Sequence, residues 1–452
     1  MRKFQLLDVD RSFTVCKMTC NPRPVFESHS DFVDQDFTVG RPSIASVARF
    51  LEGFAPELKA IPGFLVIRCY LRCYADNALT YSTYRGHVER LFLWALIVRQ
   101  KPVHELKRLD AEAYLEFCKH PPAAWVGPVI RNRFISENAL SSADHPSDLE
   151  LAANSKWKPF TLRVPKQNRS PSEGVGGNSS TDYHSSTGSM SNVFKIANGF
   201  YEYLVEEEIA SSNPFRKVTK KGQYSSSQLE SSTSRALTPL QWDYVIDTAE
   251  SMAAANPRKH ERTLFVLVTM FSMYLRISDI VGRTNWQPTM GDFRLDADGN
   301  WWFHVVGKGN KSGKIAVRDE YVTKYLTRYR TFIGLSPLPT YQEKTPLLKT
   351  LSGRPGLSDR QVRALLQTVF DQALVRMREE GREPYEMDSL RVASSHWLRH
   401  TSATFDAPFR NAKDLQYDLR HSNLATTQNT YYHSHDQERA RSVKHLGTRN
   451  RG

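Results

Sequence analysis

The chain has 452 residues, a length typical of two or three domains, and a formal net charge of +13 from 61 Lys and Arg against 48 Asp and Glu. This charge favours a polyanionic partner, with nucleic acid as the leading candidate. The longest nearly apolar run, residues 263–275, is shorter than the roughly 20 residues of a membrane-spanning helix, and the start shows no signal-peptide pattern. We therefore expect a cytoplasmic protein that makes no use of a membrane.

Five cysteines, an odd and small number for this length, argue against a disulfide framework. Cys69 and Cys73 are four residues apart within an apolar helical pattern. A zinc site usually spaces its cysteines differently, so we interpret this pair as packing residues.

The first half of the chain predicts a helical domain. Residues 1–43 show no clear periodicity and are interpreted as an N-terminal extension. Apolar residues then recur at helical spacing, which predicts an all-helical domain over 44–215 with Thr80 or Ser82 as the cap of its third helix. A Ser- and Gly-rich stretch near 168–191 predicts a loop or insertion within this domain.

The second half predicts a separate domain. Residues 216–237, basic and Ser-rich, are typical of an interdomain linker, and residues 238–452 follow as the second domain. Its first pair, Thr238-Pro239, predicts a helix N-terminus. The apolar run from Leu264 to Leu275 predicts a buried helix that leads into Arg276.

A β-hairpin is predicted after this helix. Two β-rich runs, 301–306 and 315–317, flank a turn of Gly, Asn and Lys. The turn places Lys308, Lys311 and Lys314 at or near the hairpin tip, where a lysine can reach a bound duplex.

The last sixty residues contain the most informative pattern. His396-Trp397-Leu398-Arg399-His400 is followed by Leu419-Arg420-His421 and then by Tyr431-Tyr432-His433. Basic and imidazole groups that end in a tyrosine are the groups that DNA strand cutting through a phosphotyrosine bond requires.

These residues resemble the tyrosine recombinases, or phage-type integrases. The resemblance covers about 238–445 and, more weakly, 44–215, which looks like the core-binding domain of the family. The family pattern of Arg, Lys, His-x-x-Arg, His or Trp, and Tyr corresponds here to the following residues: Arg276, Lys308, His396, Arg399, His421 and Tyr431.

The resemblance implies a role for each of these residues. Arg276 and Arg399 clamp the scissile phosphate through fork-shaped hydrogen bonds, and Tyr431 attacks it to form a 3′-phosphotyrosine bond. His396 helps to accept the tyrosine proton, Lys308 protonates the departing 5′ oxygen, and His421 hydrogen-bonds the phosphate. The reaction needs no metal or other cofactor.

Several assignments remain open at this point. Tyr432 competes with Tyr431 as nucleophile, although Tyr431-Tyr432-His433 matches the Tyr-x-His ending of the family. Lys311 and Lys314 compete with Lys308 and are otherwise expected to contact DNA. Arg420 replaces the glycine of a common Leu-Gly-His motif and is expected to contact phosphate.

Each residue also has a simpler structural interpretation. An isolated Arg276 would be a buried ion-pair partner, of Asp279 for example, and the tyrosine pair would be packing. His396 and His400 have the spacing of helical zinc ligands, but the intervening residues lack the glutamate of a metalloprotease. The ordered occurrence of the whole set favours the functional interpretation.

The predicted architecture is mainly α-helical with a small β-sheet or hairpin, arranged as a two-domain clamp around double-stranded DNA. The predicted activity is site-specific recombination for integration, excision or resolution of a mobile element, by a homotetramer on two DNA sites. Whether an accessory protein takes part stays open. The alternatives are a catalytically inactive DNA-binding regulator of the same fold and an activity like that of type IB topoisomerases.

Overall fold

The computed structural model describes residues 21–35, 37, 40–136, 151–162, 183, 185–218, 235–283, 285–307 and 312–432. The described residues fall into two compact units, one that ends at residue 218 and one that begins at residue 235. Helices account for most of both units, and the strands are short.

The first unit is a helical bundle with two small strand pairs. Strands β1 and β4 pair in parallel and β2 and β3 pair antiparallel. Its described elements, in chain order, are α1 His29–Val33, α2 Ala45–Glu52, α3 Ala60–Arg72, α4 Ala78–Trp94, α5 Arg108–Lys119, β1 Val126–Gly127, β2 Phe134–Ser136, β3 Leu151–Ala153, β4 Phe160–Thr161 and α6 Thr187–Glu206.

The cap of α4 differs from the sequence prediction. Asn77, rather than Thr80 or Ser82, is the N-cap, and its Oδ1 accepts the backbone N–H groups of Leu79 at 3.1 Å and Thr80 at 3.0 Å. The helix therefore begins about one turn earlier than the spacing of its apolar residues indicates. That spacing does not show where the polar capping residue lies.

Part of the predicted N-terminal extension belongs to the core of this unit. Val25, Phe26 and Phe32 have no solvent exposure. The buried carboxylate of Glu89 accepts the backbone N–H groups of Val25 at 2.8 Å and Phe26 at 3.2 Å, and it also pairs with Arg133. One acidic side chain on α4 thus fixes the incoming segment, which sequence periodicity alone did not reveal.

We expect Glu89→Ala to destabilise the protein by about 3 to 5 kcal/mol, because it leaves Arg133 without its carboxylate and two buried N–H groups without an acceptor. Chemical denaturation monitored by circular dichroism measures the change. Glu116→Ala is the matched control, since Glu116 is exposed on α5 and pairs only at the surface. It should shift the free energy of unfolding by less than about 0.5 kcal/mol. Equal effects of the two substitutions would contradict the role of Glu89.

The interpretation of Cys69 and Cys73 as packing residues was wrong. Both lie on α3 and both are exposed. The helix buries Phe64, Ile67 and Leu71 instead, so the two cysteines share a helical face as expected, but that face is turned to solvent.

The second unit surrounds one three-stranded antiparallel sheet with helices. The strand order is β5-β6-β7. Its described elements are α7 Pro239–Ala255, α8 Pro257–Ser272, α9 Ile277–Val281, β5 Phe293–Leu295, β6 Trp301–Val306, β7 Ser312–Ala316, α10 Thr327–Phe332, α11 Asp359–Glu379, α12 Pro384–Val392, α13 Ser395–Asp406, α14 Ala412–Leu419 and α15 Leu424–Thr427.

The sequence predicted the main features of this unit. Thr238 caps α7 with Pro239 at the first helical position, and β6 and β7 form the expected hairpin, with Val306 opposite Ser312. The predicted buried helix is α8, whose residues from Thr263 to Ser272 are buried. Strand β5 escaped prediction because three residues are too few to show a period. None of the described helices is long and apolar enough to cross a membrane.

Candidate active site

The segment after α8 brings Arg276 to the site. Tyr274 turns the chain with a φ of 51°, a left-handed conformation that is rare for a residue with a bulky side chain. Arg276 then becomes the N-cap of α9, and its backbone N–H donates to Asp279 Oδ2 at 2.9 Å. The turn is thus held by a hydrogen bond from its backbone to the Asp279 carboxylate.

Arg399 joins two separate parts of the site. It lies on α13 with only 1% of its surface exposed. Its guanidinium donates to the carbonyl oxygen of Tyr274 at 2.7 Å and to that of Leu419. The first carbonyl precedes Arg276 and the second precedes Arg420 and His421, so one side chain fixes both segments. Burial, followed by the charge of Arg276, lowers the pKa of Arg399 to about 9, which leaves it cationic at neutral pH.

His421 follows a sharp turn at the end of α14. Arg420 forms this turn with a φ of 52°, the region that glycine prefers. The His421 ring lies with Nδ1 2.9 Å from Thr427 Oγ1. Burial and the nearby charges of Arg399 and Arg276 lower the pKa of His421 to about 4, so the ring is neutral at pH 7.

Tyr431 points into the same site. It lies on a π-helical turn, Gln428–Tyr432, with 2% of its surface exposed. Its ring is parallel to that of His421, with centroids 6.3 Å apart, and its hydroxyl lies 2.8 Å from Nδ1 of His400. Burial raises the pKa of Tyr431, while the positive charges of Arg399 and Arg276 lower it in part. The phenol is therefore protonated at neutral pH but lies in a cationic environment.

Tyr432 faces a different part of the protein. Its hydroxyl donates to the carbonyl oxygen of Arg410 at 2.7 Å. This bond holds the Tyr432 hydroxyl at Arg410, whereas Arg276, Arg399 and His421 lie near Tyr431.

His400 is the residue that sequence reasoning missed. We considered it only as a metal ligand with His396. The two rings meet edge to face on α13 with centroids 4.5 Å apart, but His396 is exposed, whereas Nδ1 of His400 lies 2.8 Å from the Tyr431 hydroxyl. The available signal was the spacing of the two histidines, which places both on one face of a helix.

Asp279 connects several segments of the site through hydrogen bonds to its carboxylate. This fully buried carboxylate accepts hydrogen bonds from Arg420 and from Arg283, the latter at 3.1 Å, as well as from the backbone of Arg276. In the described part of the chain its ion pairs are with Arg283 and Arg420. The simple interpretation of Arg276 as the salt-bridge partner of Asp279 therefore does not match the structure. Arg420, which we expected at a phosphate, donates to Asp279.

The hairpin is attached to the same network. Arg283 donates to the carbonyl oxygen of Val306, at the end of β6, at 3.0 Å. The backbone N–H of Ala316, on β7, donates to Asp418 on α14 at 3.1 Å. Both strands are thus tied to segments that carry site residues.

The lysines of the hairpin are only partly described. Lys308 and Lys311 lie outside the described residues. Lys314 is exposed on β7, and its Nζ lies 3.9 Å from the centre of the Trp302 ring. Its charge is therefore at the surface, where a phosphate could reach it.

The described residues contain no group of three or more His, Cys, Asp or Glu side chains placed to hold a metal ion. His396 and His400 come together without a further ligand of this kind. Around the Tyr431 phenol the site brings together the guanidiniums of Arg276 and Arg399 and the neutral imidazoles of His400 and His421.

The chain is similar to known proteins in structure but not detectably in sequence. No family model matches the chain, and no curated protein matches its sequence. The XerH site-specific recombinase, solved with its palindromic difH substrate in a post-cleavage complex, superposes with a TM-score of 0.53 at 13% identity and covers 94% of this chain and 99% of its own. The fold is that of the tyrosine recombinases.

Two further tyrosine recombinases align at lower scores. The Tn1549 transposon integrase in complex with circular intermediate DNA gives a TM-score of 0.39 at 18% identity, over 58% of this chain and 80% of its own. A lambda integrase dimer bound to a COC′ core site gives 0.45 at 10% identity, over 81% and 76%. At such identities the likeness to the tyrosine-recombinase fold says nothing by itself about residues or substrates.

Proposed function

We propose that the protein is a site-specific DNA recombinase that cuts and rejoins duplex DNA through a 3′-phosphotyrosine intermediate. The observation that carries this proposal is the position of Tyr431, a buried phenol beside the guanidiniums of Arg276 and Arg399 and the imidazoles of His400 and His421. A purely structural tyrosine has no need of these neighbours, because placing two guanidiniums against a buried neutral phenol costs desolvation energy that a bound phosphate would offset.

In the proposed reaction the scissile phosphate enters between Arg276 and Arg399. Negative charge that gathers on its nonbridging oxygens is met by two guanidiniums, of which that of Arg399 is already held by two carbonyl oxygens, and this lowers the barrier. His421, whose ring is neutral, hydrogen-bonds the phosphate. Tyr431 attacks phosphorus, the bond to the 5′ oxygen breaks, and the phosphotyrosine bond preserves the energy needed to rejoin the strands.

Lys308 is proposed to protonate the departing 5′ oxygen. It follows the end of β6, which Arg283 ties to the Asp279 network. Lys311 and Lys314 of the same hairpin are proposed to contact the DNA backbone, in keeping with the exposure of Lys314.

The proposed partner is double-stranded DNA, in keeping with the net charge of +13. The XerH recombinase, whose fold this chain shares, was solved bound to its palindromic difH substrate. We further propose a clamp of two domains on each DNA arm and a tetramer on two sites, acting in integration, excision or resolution of a mobile element. Mass photometry of the protein on its own duplex would count the protomers.

Covalent capture tests the proposal. The protein is mixed with a library of nicked duplexes with randomised cores, and DNA that stays attached after denaturation is sequenced. A selected sequence motif joined through Tyr431 supports a recombinase. Tight binding without any adduct would instead indicate a regulator of the same fold, and relaxation of supercoiled plasmid without sequence preference would indicate a topoisomerase.

We propose that Arg420 positions the His421 turn rather than contacting phosphate, a role supported by its hydrogen bond to Asp279. We expect Arg420→Gly to slow cleavage about tenfold, because it removes a charge-assisted hydrogen bond between the His421 turn and Asp279, while relief of the left-handed backbone offsets part of the loss. DNA affinity and its dependence on salt should stay unchanged.

Lys314→Ala is the matched control for this prediction. It should reduce the slope of log affinity against log salt by about 0.9, as expected for one lost phosphate contact, with little effect on the cleavage rate. Single-turnover kinetics and binding titrations at several salt concentrations measure both quantities. A reduced salt slope for Arg420→Gly would place Arg420 on the DNA after all.

A further inference from the structure

We infer that His400, rather than His396, accepts the proton of Tyr431 when the tyrosine attacks phosphorus. The inference rests on the function proposed above and adds a catalytic residue to it. It follows from the 2.8 Å hydrogen bond between the Tyr431 hydroxyl and Nδ1 of His400. A general base must lie within hydrogen-bond reach of the proton that it takes, and His400 satisfies this requirement.

The two histidines differ in their surroundings. His396 and His400 lie on the same face of α13, one turn apart. His400 is partly buried and lies next to the phenol, whereas His396 is exposed at the edge of the site. His396 is therefore better placed to meet DNA that enters the site than to take the proton of Tyr431.

The protonation state of His400 suits an acceptor. Burial, together with the charges of its neighbours, lowers the pKa of His400 to about 4, so at pH 7 the ring is neutral and Nδ1 can carry a lone pair. The groups that face it are His396, Arg399, Arg235 and His421, and all of them oppose its protonation. An incoming phosphate brings negative charge to the same place, which raises that pKa and makes His400 a stronger base during the reaction.

The step balances without any further reactant. The Tyr431 oxygen forms a bond to phosphorus and the phenol proton moves to Nδ1 of His400, while the bond from phosphorus to the 5′ oxygen breaks and that oxygen takes the proton that Lys308 is proposed to supply. Because Nε2 of His400 already carries a proton, the ring becomes an imidazolium when Nδ1 takes the second one. It returns the proton to Tyr431 when the strands are rejoined.

The test uses a duplex selected by covalent capture, with the 5′ bridging oxygen replaced by sulfur. A thiolate leaves without a strong acid, so this substrate reports on the tyrosine side of the reaction alone. Single-turnover rates are compared for His400→Ala, His400→Gln, His396→Ala and Lys308→Ala, each with and without added imidazole.

On the sulfur substrate we expect His400→Ala to react about 10²- to 10⁴-fold more slowly than the unaltered protein, and Lys308→Ala to react at nearly the unaltered rate. Imidazole should accelerate His400→Ala in proportion to its neutral form, because the deleted ring leaves a space beside the phenol. His400→Gln fills that space and can accept a hydrogen bond but not a proton, so it should stay slow and resist rescue. Thermal unfolding of the glutamine variant shows whether the fold is intact.

Several results would overturn the inference. A rate for His400→Gln near that of the unaltered protein would show that a hydrogen bond suffices, and imidazole rescue confined to His396→Ala would return the role to His396. Failure of the inference is distinct from failure of the proposed function. An unaltered protein that forms no adduct with any duplex, or an adduct that survives both Tyr431→Phe and Tyr432→Phe, would reject the recombinase itself.

Discussion

Tyr431→Phe is expected to abolish covalent trapping of the protein on a nicked duplex while leaving DNA binding intact. The phenol oxygen is the proposed nucleophile, and loss of a nucleophile costs roughly 10⁶-fold in rate. The ring keeps its packing beside His421, and the lost hydrogen bond to His400 should cost only about 1 kcal/mol of stability. Denaturing gels of the protein–DNA adduct measure trapping, and gel-shift titrations measure binding.

Tyr432→Phe is the matched control. Its hydroxyl is bound to the carbonyl oxygen of Arg410 and faces away from the arginine cluster, so the substitution should leave trapping within a few-fold of the unaltered rate. Trapping that survives in Tyr431→Phe and disappears in Tyr432→Phe would move the nucleophile by one residue. It would also require the last turn to rearrange when DNA binds.

Arg276→Ala should slow cleavage by about 10²- to 10³-fold, the effect of removing one preorganised donor to a developing oxyanion. Replacing the scissile phosphate with a neutral methylphosphonate should reduce this penalty, because less negative charge then needs stabilisation. The fold should persist, since the turn around Arg276 is held by its backbone bond to Asp279. An equal loss on both substrates would reject the charge clamp at this position.

Arg399→Ala should behave differently from Arg276→Ala. Its guanidinium also satisfies the buried carbonyl oxygens of Tyr274 and Leu419, so the substitution removes a charge and two structural hydrogen bonds together. We expect a comparable or larger rate loss, incomplete recovery with the methylphosphonate, and a lower melting temperature. Full recovery on the neutral substrate would show that Arg399 acts through charge alone.

The sequence alone was enough to propose which types of residue form the site and in what order they occur along the chain. Arg276, the His-x-x-Arg motif, His421 and the terminal tyrosines can each be identified without coordinates, and β6 and β7 were predicted as a hairpin. These features are local, because helical and strand periods, caps and turn residues are expressed over a few neighbouring positions.

Contacts between distant parts of the chain could not be predicted in this way. Glu89 fixes Val25 and Phe26 from α4, and Asp279 meets Arg420 from the far end of the same unit. The aperiodic segment before residue 44 was therefore interpreted as an extension although part of it lies in the core. Such pairs depend on how elements pack, which leaves no regular spacing in the sequence.

The contacts between side chains in the site also depend on tertiary packing. The sequence by itself determined that two histidines share one face of α13 and that two adjacent tyrosines end the motif. Only the tertiary structure decided that His400 meets Tyr431 and that Tyr432 turns to Arg410. Adjacent residues of a helical turn point in different directions, so the packing of the final turn, Gln428–Tyr432, determines which phenol faces the arginines and which imidazole lies beside it.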